Sequence, residues 1–185
     1  MKMKDSQKYL PYSGCGARST PDEVLEIMTE LATDLEDYGF SLRTGGALGA
    51  DTAFLDGIKK HPEKVELYLP WKDYNGYSSP YTGVHPKVQQ LASMYHPAWE
   101  NCSQGARKLH GRNLHIVAGP NVAVPTPSLF MLCYTPNANA TGGTGIAIAM
   151  ADSYFIPVFD FGLGIDYTLN QFEDWFIKQG FDKCQ

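Results

Sequence analysis

Three short stretches carry the glycines that matter for chemistry: Ser13-Gly14-Cys15-Gly16-Ala17-Arg18, Thr44-Gly45-Gly46-Ala47-Leu48-Gly49 and Thr141-Gly142-Gly143-Thr144-Gly145. Each follows an apolar run that reads as a strand and precedes a segment that reads as a helix. Glycine permits a positive φ and lets a ligand come close to the main chain. A helix N-terminus adds unpaired N–H groups and a positive dipole end, a combination that holds phosphate or carboxylate. Any one of these loops is as well explained as a bare strand-to-helix turn. Three together make a cradle for a nucleotide-like ligand. The expected ligand-binding set is therefore Gly14, Gly16, Arg18, Thr44, Gly45, Gly46, Gly49, Asp51, Gly142, Gly143, Thr144 and Gly145.

Other side chains fall within reach of that chemistry. Asp51 opens the helix after the second loop, where it either accepts from a ribose hydroxyl, acts as a general base, or simply sits against the helix dipole. Arg18 is placed to clamp a phosphate, with a surface ion pair as the plainer reading. Arg112 and Asn113 lie on a helix of mixed character, where a solvated face with Arg107 and Lys108 accounts for them nearly as well as a ligand contact. Glu100, and with less reason Asp160, are the other carboxylates able to serve a catalytic role beside Asp51. Trp71, Tyr74, Tyr77 and Tyr81 crowd one segment and would either stack on a purine or plug the sheet edge. His85, His96, His110 and His115 show no metal-ligand spacing and read as surface or capping residues. No metal and no cofactor is expected. No glycine loop ends in the GK[ST] of a phosphate-binding P-loop or has GxGxxG spacing, so neither an ATPase nor a standard dinucleotide fingerprint is present.

The elements that must position these groups alternate along the chain. Strands are expected at 9–13, 40–43, 65–69, 129–134 and 154–159. Helices are expected from Thr20 to a left-handed cap at Gly39, then at about 51–60, 86–95, 98–117, 146–153 and 168–178. The first helix has Thr20 and Glu23 spaced as a capping box, with Pro21 at its first turn. Residues 71–84 form a long Tyr/Gly/Ser/Pro-rich loop, and long ordered loops are often functional. Alternating strands and helices imply a Rossmann-like three-layer α/β/α sandwich with a mostly parallel sheet. In such a sheet all three glycine loops lie at the carboxyl edge.

Composition bounds the rest. At 185 residues the chain is expected to form one domain, residues 1–185. Hydrophobic residues at 43% and charged ones at 19% are ordinary for a folded protein, which excludes a disordered chain. A net charge of −5 sets wholesale binding of nucleic acid behind a small-molecule partner. Cys15, Cys102, Cys133 and Cys184 are scattered without a CxxC pair, which reads as reduced thiols in a cytoplasm. No apolar run approaches the roughly 20 residues of a membrane span.

The combination of Gly14-Cys15-Gly16-Ala17-Arg18, the Thr44 to Asp51 element and Gly142-Gly143-Thr144-Gly145 followed by Ile156-Pro157-Val158 resembles the SLOG superfamily. That group embraces the Rossmann-like domain of DprA, the LOG-type phosphoribohydrolases and small YspA- or YpsA-like proteins of bacteria and bacteriophages. The resemblance runs from about Tyr9 to Phe161. It implies binding of nucleotides or nucleotide derivatives at the glycine edge, an Arg-Asn pair at Arg112 and Asn113, and homo-oligomers. The chain departs from the LOG pattern PGGxGTxxE: Ile146 stands at the second-motif threonine and Ala149 at the glutamate.

Three functions are thus expected in order. First is binding of a nucleotide or nucleotide-derived ligand, as a sensor or sequestering protein. Second is N-glycosidic cleavage of a nucleoside monophosphate, with Asp51 or Glu100 as the carboxylate. Third is DprA-like binding of single-stranded DNA.

Overall fold

The computed structural model describes residues 10–181. Tyr9 and Cys184 lie outside them. Five strands form one sheet: β1 (Leu10–Gly16), β2 (Phe40–Thr44), β3 (Val65–Leu67), β4 (Met131–Tyr134) and β5 (Val158–Asp160). Every pairing is parallel, and the order is β3-β2-β1-β4-β5. Six helices cover it: α1 (Asp22–Asp37), α2 (Ala50–Gly57), α3 (Pro86–Ala92), α4 (Gln104–Ala118), α5 (Gly142–Ser153) and α6 (Ile165–Lys178). This is the expected Rossmann-like three-layer arrangement.

The two faces follow from the alternation of side chains along a strand. Tyr12 and Leu132 point to one face and pack with Met28 of α1, Phe54 of α2 and Phe172 of α6. Cys15, Met131 and Cys133 point to the other, against Leu114 and Val117 of α4 and Met150 of α5. Chain order reverses at β1, which pairs with β2 on one side and β4 on the other. The loops after β1 and β4 therefore diverge to opposite faces and open a crevice between them.

Local chemistry moves several boundaries. The capping box at Thr20 does not form: Pro21 is the N-cap of α1, and the Thr20 hydroxyl donates to Ala17 O at 2.6 Å. Gly39 does take the left-handed conformation, at φ 89°. The helix expected at 98–117 is broken. A 3-10 turn at Trp99–Asn101 ends in extended Cys102, and Ser103 starts α4 afresh by accepting from Ala106 N at 3.2 Å. β5 begins late because Tyr154 and Phe155 close α5, with the Ile156 N–H returning to Ala151 O at 3.0 Å. The last helix begins early, at Ile165, after Gly164. Among the described residues no helix is long and apolar enough to cross a membrane.

Candidate functional site

The crevice at the reversal point is a pocket of about 240 Å³. The first loop contributes Gly16, Ala17 and Arg18, the second Ala47 and Asp51, the third Gly143 and Thr144. Ala106, Leu109, His110, Arg112 and Asn113 of α4 form its wall, and Tyr74 reaches in from the long loop. All three glycine loops thus meet at one place, as the sequence implies.

Asp51 ties the first two loops to each other and to α4. Its carboxylate accepts from Gly16 N (3.3 Å), Gly45 N (3.1 Å), Ala47 N (3.3 Å) and Arg112 Nη1 (3.2 Å). Asp51 and Arg112 are 2% and 6% exposed, so the pair is buried. Burial pushes the Asp51 carboxyl above its ordinary value, while Arg112 and the three N–H groups pull it down. Four donors converging on two oxygens suit the ionised carboxylate, and they leave it little capacity as a general base. Among the described residues lining the pocket, Asp51 is the sole carboxylate.

The glycines divide by role. A Cβ on Gly14 would meet Phe54 and Leu42 within 2.9 Å, so Gly14 is a core residue inside β1. One on Gly45 would lie 1.1 Å from Arg112 Nη1. A Cβ on Gly49, at φ 83°, would come within 3.0 Å of the Ala17 and Arg18 backbone, and one on Gly145 would strike Ala140 O. These four serve packing rather than ligand contact. A Cβ on Gly142 or Gly143 meets nothing within 4 Å. Together with Thr144 these residues form the first turn of α5, where helix geometry leaves the N–H groups without intrahelical partners.

The remaining expectations sort as follows. Arg18 is exposed on the pocket rim and makes no ion pair among the described residues. Asn113 donates from Nδ2 to Gly143 O at 2.9 Å, tying α4 to the third loop. Thr44 is fully buried and its hydroxyl has no partner among the described residues, so it faces the interior. Glu100 is exposed and lies off the pocket lining, which removes the placement a catalytic carboxylate needs. Asp160 is committed elsewhere, accepting from Thr135 N and Gly162 N at 2.8 and 2.9 Å. Cys15 lines the pocket, but burial pushes its thiol far up and Asp51 adds to the effect, so it is a poor nucleophile.

Of the aromatics only Tyr74 joins the lining; Trp71 stands edge-on to it at 5.1 Å. Tyr81 tilts onto Tyr68, and Tyr77 lies against Gly46. His85 caps α3 and His115 meets Gly119 O. Of the other two, His96 accepts from Ala98 N at 3.1 Å, as a capping residue does, whereas His110 is buried rather than on the surface. One donor atom each from His96, Cys102 and His110 lie within 4.8 Å of one another. The sequence hides this group because a helix break, illegible beforehand, folds Cys102 back on α4.

No protein-family model matches the chain, and no curated protein does. Among solved structures it is similar to DNA processing protein A from Helicobacter pylori, a protein described by its single-stranded DNA binding mode. The TM-score is 0.51 at 17% identity, covering 94% of this chain and 74% of that one. At that identity the likeness is one of fold.

Proposed function

We propose that the protein binds a phosphorylated, nucleotide-type ligand in the crevice between the three glycine loops. The observation that carries this reading is that Gly143 and Thr144, in the first turn of α5, line one pocket at the chain reversal together with the unpaired Arg18. An anion there meets free N–H groups, a helix dipole and a guanidinium. Arg112, already neutralised by Asp51, serves to hold the loops rather than the phosphate. The volume suits one phosphorylated sugar unit with the rest of the ligand in the open mouth.

Isothermal titration with nucleoside mono- and diphosphates tests this. Saturable binding that weakens about tenfold in Arg18→Ala, the worth of one charge-assisted hydrogen bond, is the expected result. Nucleotides that bind neither the parent nor the variant overturn it. The fold likeness favours one second reading, that the sugar-phosphate unit belongs to single-stranded DNA. The hydrolase reading loses ground because Asp51 is saturated and Glu100 stands off the pocket.

A further inference from the structure

His96, Cys102 and His110 converge from three separate segments. His96 follows the 3-10 turn Ser93–Tyr95, Cys102 follows the turn Trp99–Asn101, and His110 is on the second turn of α4. Cys102 Sγ lies 3.7 Å from His96 Nδ1 and 3.6 Å from Nε2, and the two imidazole centroids are 4.9 Å apart. Zinc bonds of about 2.3 Å to sulfur and about 2.0 Å to nitrogen, at a tetrahedral angle, place sulfur and nitrogen roughly 3.5 Å apart. The Cys102–His96 spacing is already close to that, and the His110 donor atom lies within 4.8 Å of both.

A second observation points to an ion rather than to a packed cluster. His110 is 8% exposed and its Nδ1 is buried with no hydrogen-bond partner among the described residues. A sulfur hydrogen bond between Cys102 and His96 explains those two side chains but leaves that nitrogen orphaned, at a desolvation cost.

The loop is also held in place independently. Arg107 donates to Trp99 O and Glu100 O at 3.3 and 3.4 Å and lies 5.6 Å over the Trp99 ring. The Cys102 N–H returns to Trp99 O at 3.0 Å. His96 Nδ1 accepts from Ala98 N at 3.1 Å, and an ion at that nitrogen takes the donor's place. One thiolate with two imidazoles is a borderline-soft donor set, suited to zinc and unsuited to magnesium or calcium.

We propose that His96, Cys102 and His110 bind one zinc ion, with the fourth position left to water or to a ligand. His110 also lines the pocket, so the ion sits one imidazole away from it. The site stands whether or not the pocket takes a nucleotide.

The test uses the full chain, reduced and stripped with a chelator, titrated with Co²⁺ and then competed with Zn²⁺. The expected result is one ion per chain, with a thiolate-to-cobalt charge-transfer band and the intense visible bands of a tetrahedral site, displaced by zinc. Cys102→Ser and His96→Ala should each weaken binding about a hundredfold or more, with the metal-free melting temperature unchanged. Cys184→Ser should bind as the parent does. Octahedral-type spectra without a thiolate band, no binding, or equal binding by Cys102→Ser and the parent would each overturn the site.

Discussion

Gly45 and Arg112 occupy the same space from opposite layers of the fold: a methyl group on Gly45 would lie 1.1 Å from the guanidinium Nη1. Gly45→Ala therefore has to expel Arg112 and strand Asp51 in a buried site. Breaking a buried ion pair by displacing one partner costs about 3–5 kcal/mol. A shift of that size in the urea midpoint is expected for Gly45→Ala and for Arg112→Ala. Gly143→Ala meets nothing within 4 Å and sits in the first turn of α5, so its stability should stay within about 1 kcal/mol of the parent. If the pocket takes the proposed ligand, its cost should appear instead in nucleotide affinity, because Gly143 lines that pocket. Equal stability of the Gly45 and Gly143 variants would dissolve the division between packing and binding glycines. Gly46 belongs with the first class: at φ 65°, and with a Cβ there coming within 3.3 Å of Tyr77 and Leu67, it resists any side chain. That division was not legible in the sequence, where all the loop glycines look alike. It depends on which element crosses above each one.

α1 and the chain leaving α2 are joined through Glu36. This residue is 2% exposed, and its carboxylate accepts from the N–H groups of Lys59 (3.0 Å), Lys60 (2.9 Å) and His61 (2.6 Å). Burial raises its pKa, but the three N–H donors and nearby His61 outweigh that and leave it below the usual value. A folded-state pKa depressed below the unfolded one means stability that is fully present above about pH 4.3 and is lost as pH falls through the folded value. Glu36→Gln should thus lose about 2 kcal/mol at neutral pH and show a flatter acid limb in urea midpoints measured from pH 6 to pH 3. An acid limb as steep as the parent's would show that other carboxylates carry it.

At this scale the sequence was a good guide where periodicity spanned a whole element, as in α1 and α6, whose apolar faces meet Met28 and Phe172 in one core. It failed where a single hydrogen bond decides a boundary. Ser103 restarting α4 is one such case, and the His96, Cys102 and His110 group follows from it. The three loops at one edge were legible because strand, glycine and helix follow one another in each; Glu100 was not, because it stands in a 3-10 turn that only the helix break creates.

The doubly wound sheet places the pocket where β1 and β4 part, and that placement alone does not distinguish a free nucleotide from one residue of a strand. Charge does. A protein that tracks a single strand neutralises several phosphates, and each adds about −0.7 to the slope of log affinity against log salt. This chain carries a net charge of −5, and among the described residues Arg18 is the one lysine or arginine on the pocket lining that is not already paired to a carboxylate. Binding confined to the pocket therefore predicts a slope near −0.7 for a twelve-residue oligonucleotide, and binding that a mononucleotide competes away. Arg18→Ala should flatten it toward zero. Fluorescence anisotropy of a labelled oligonucleotide, with unlabelled mononucleotide as competitor, reads both quantities in one experiment. A slope of −3 or steeper that the mononucleotide cannot compete away would move the binding surface off the crevice and onto a face where strand phosphates meet several lysines and arginines at once. The acidic balance of the molecule favours the shallow slope, because a strand laid across this surface would meet repulsion outside the pocket that a single nucleotide avoids.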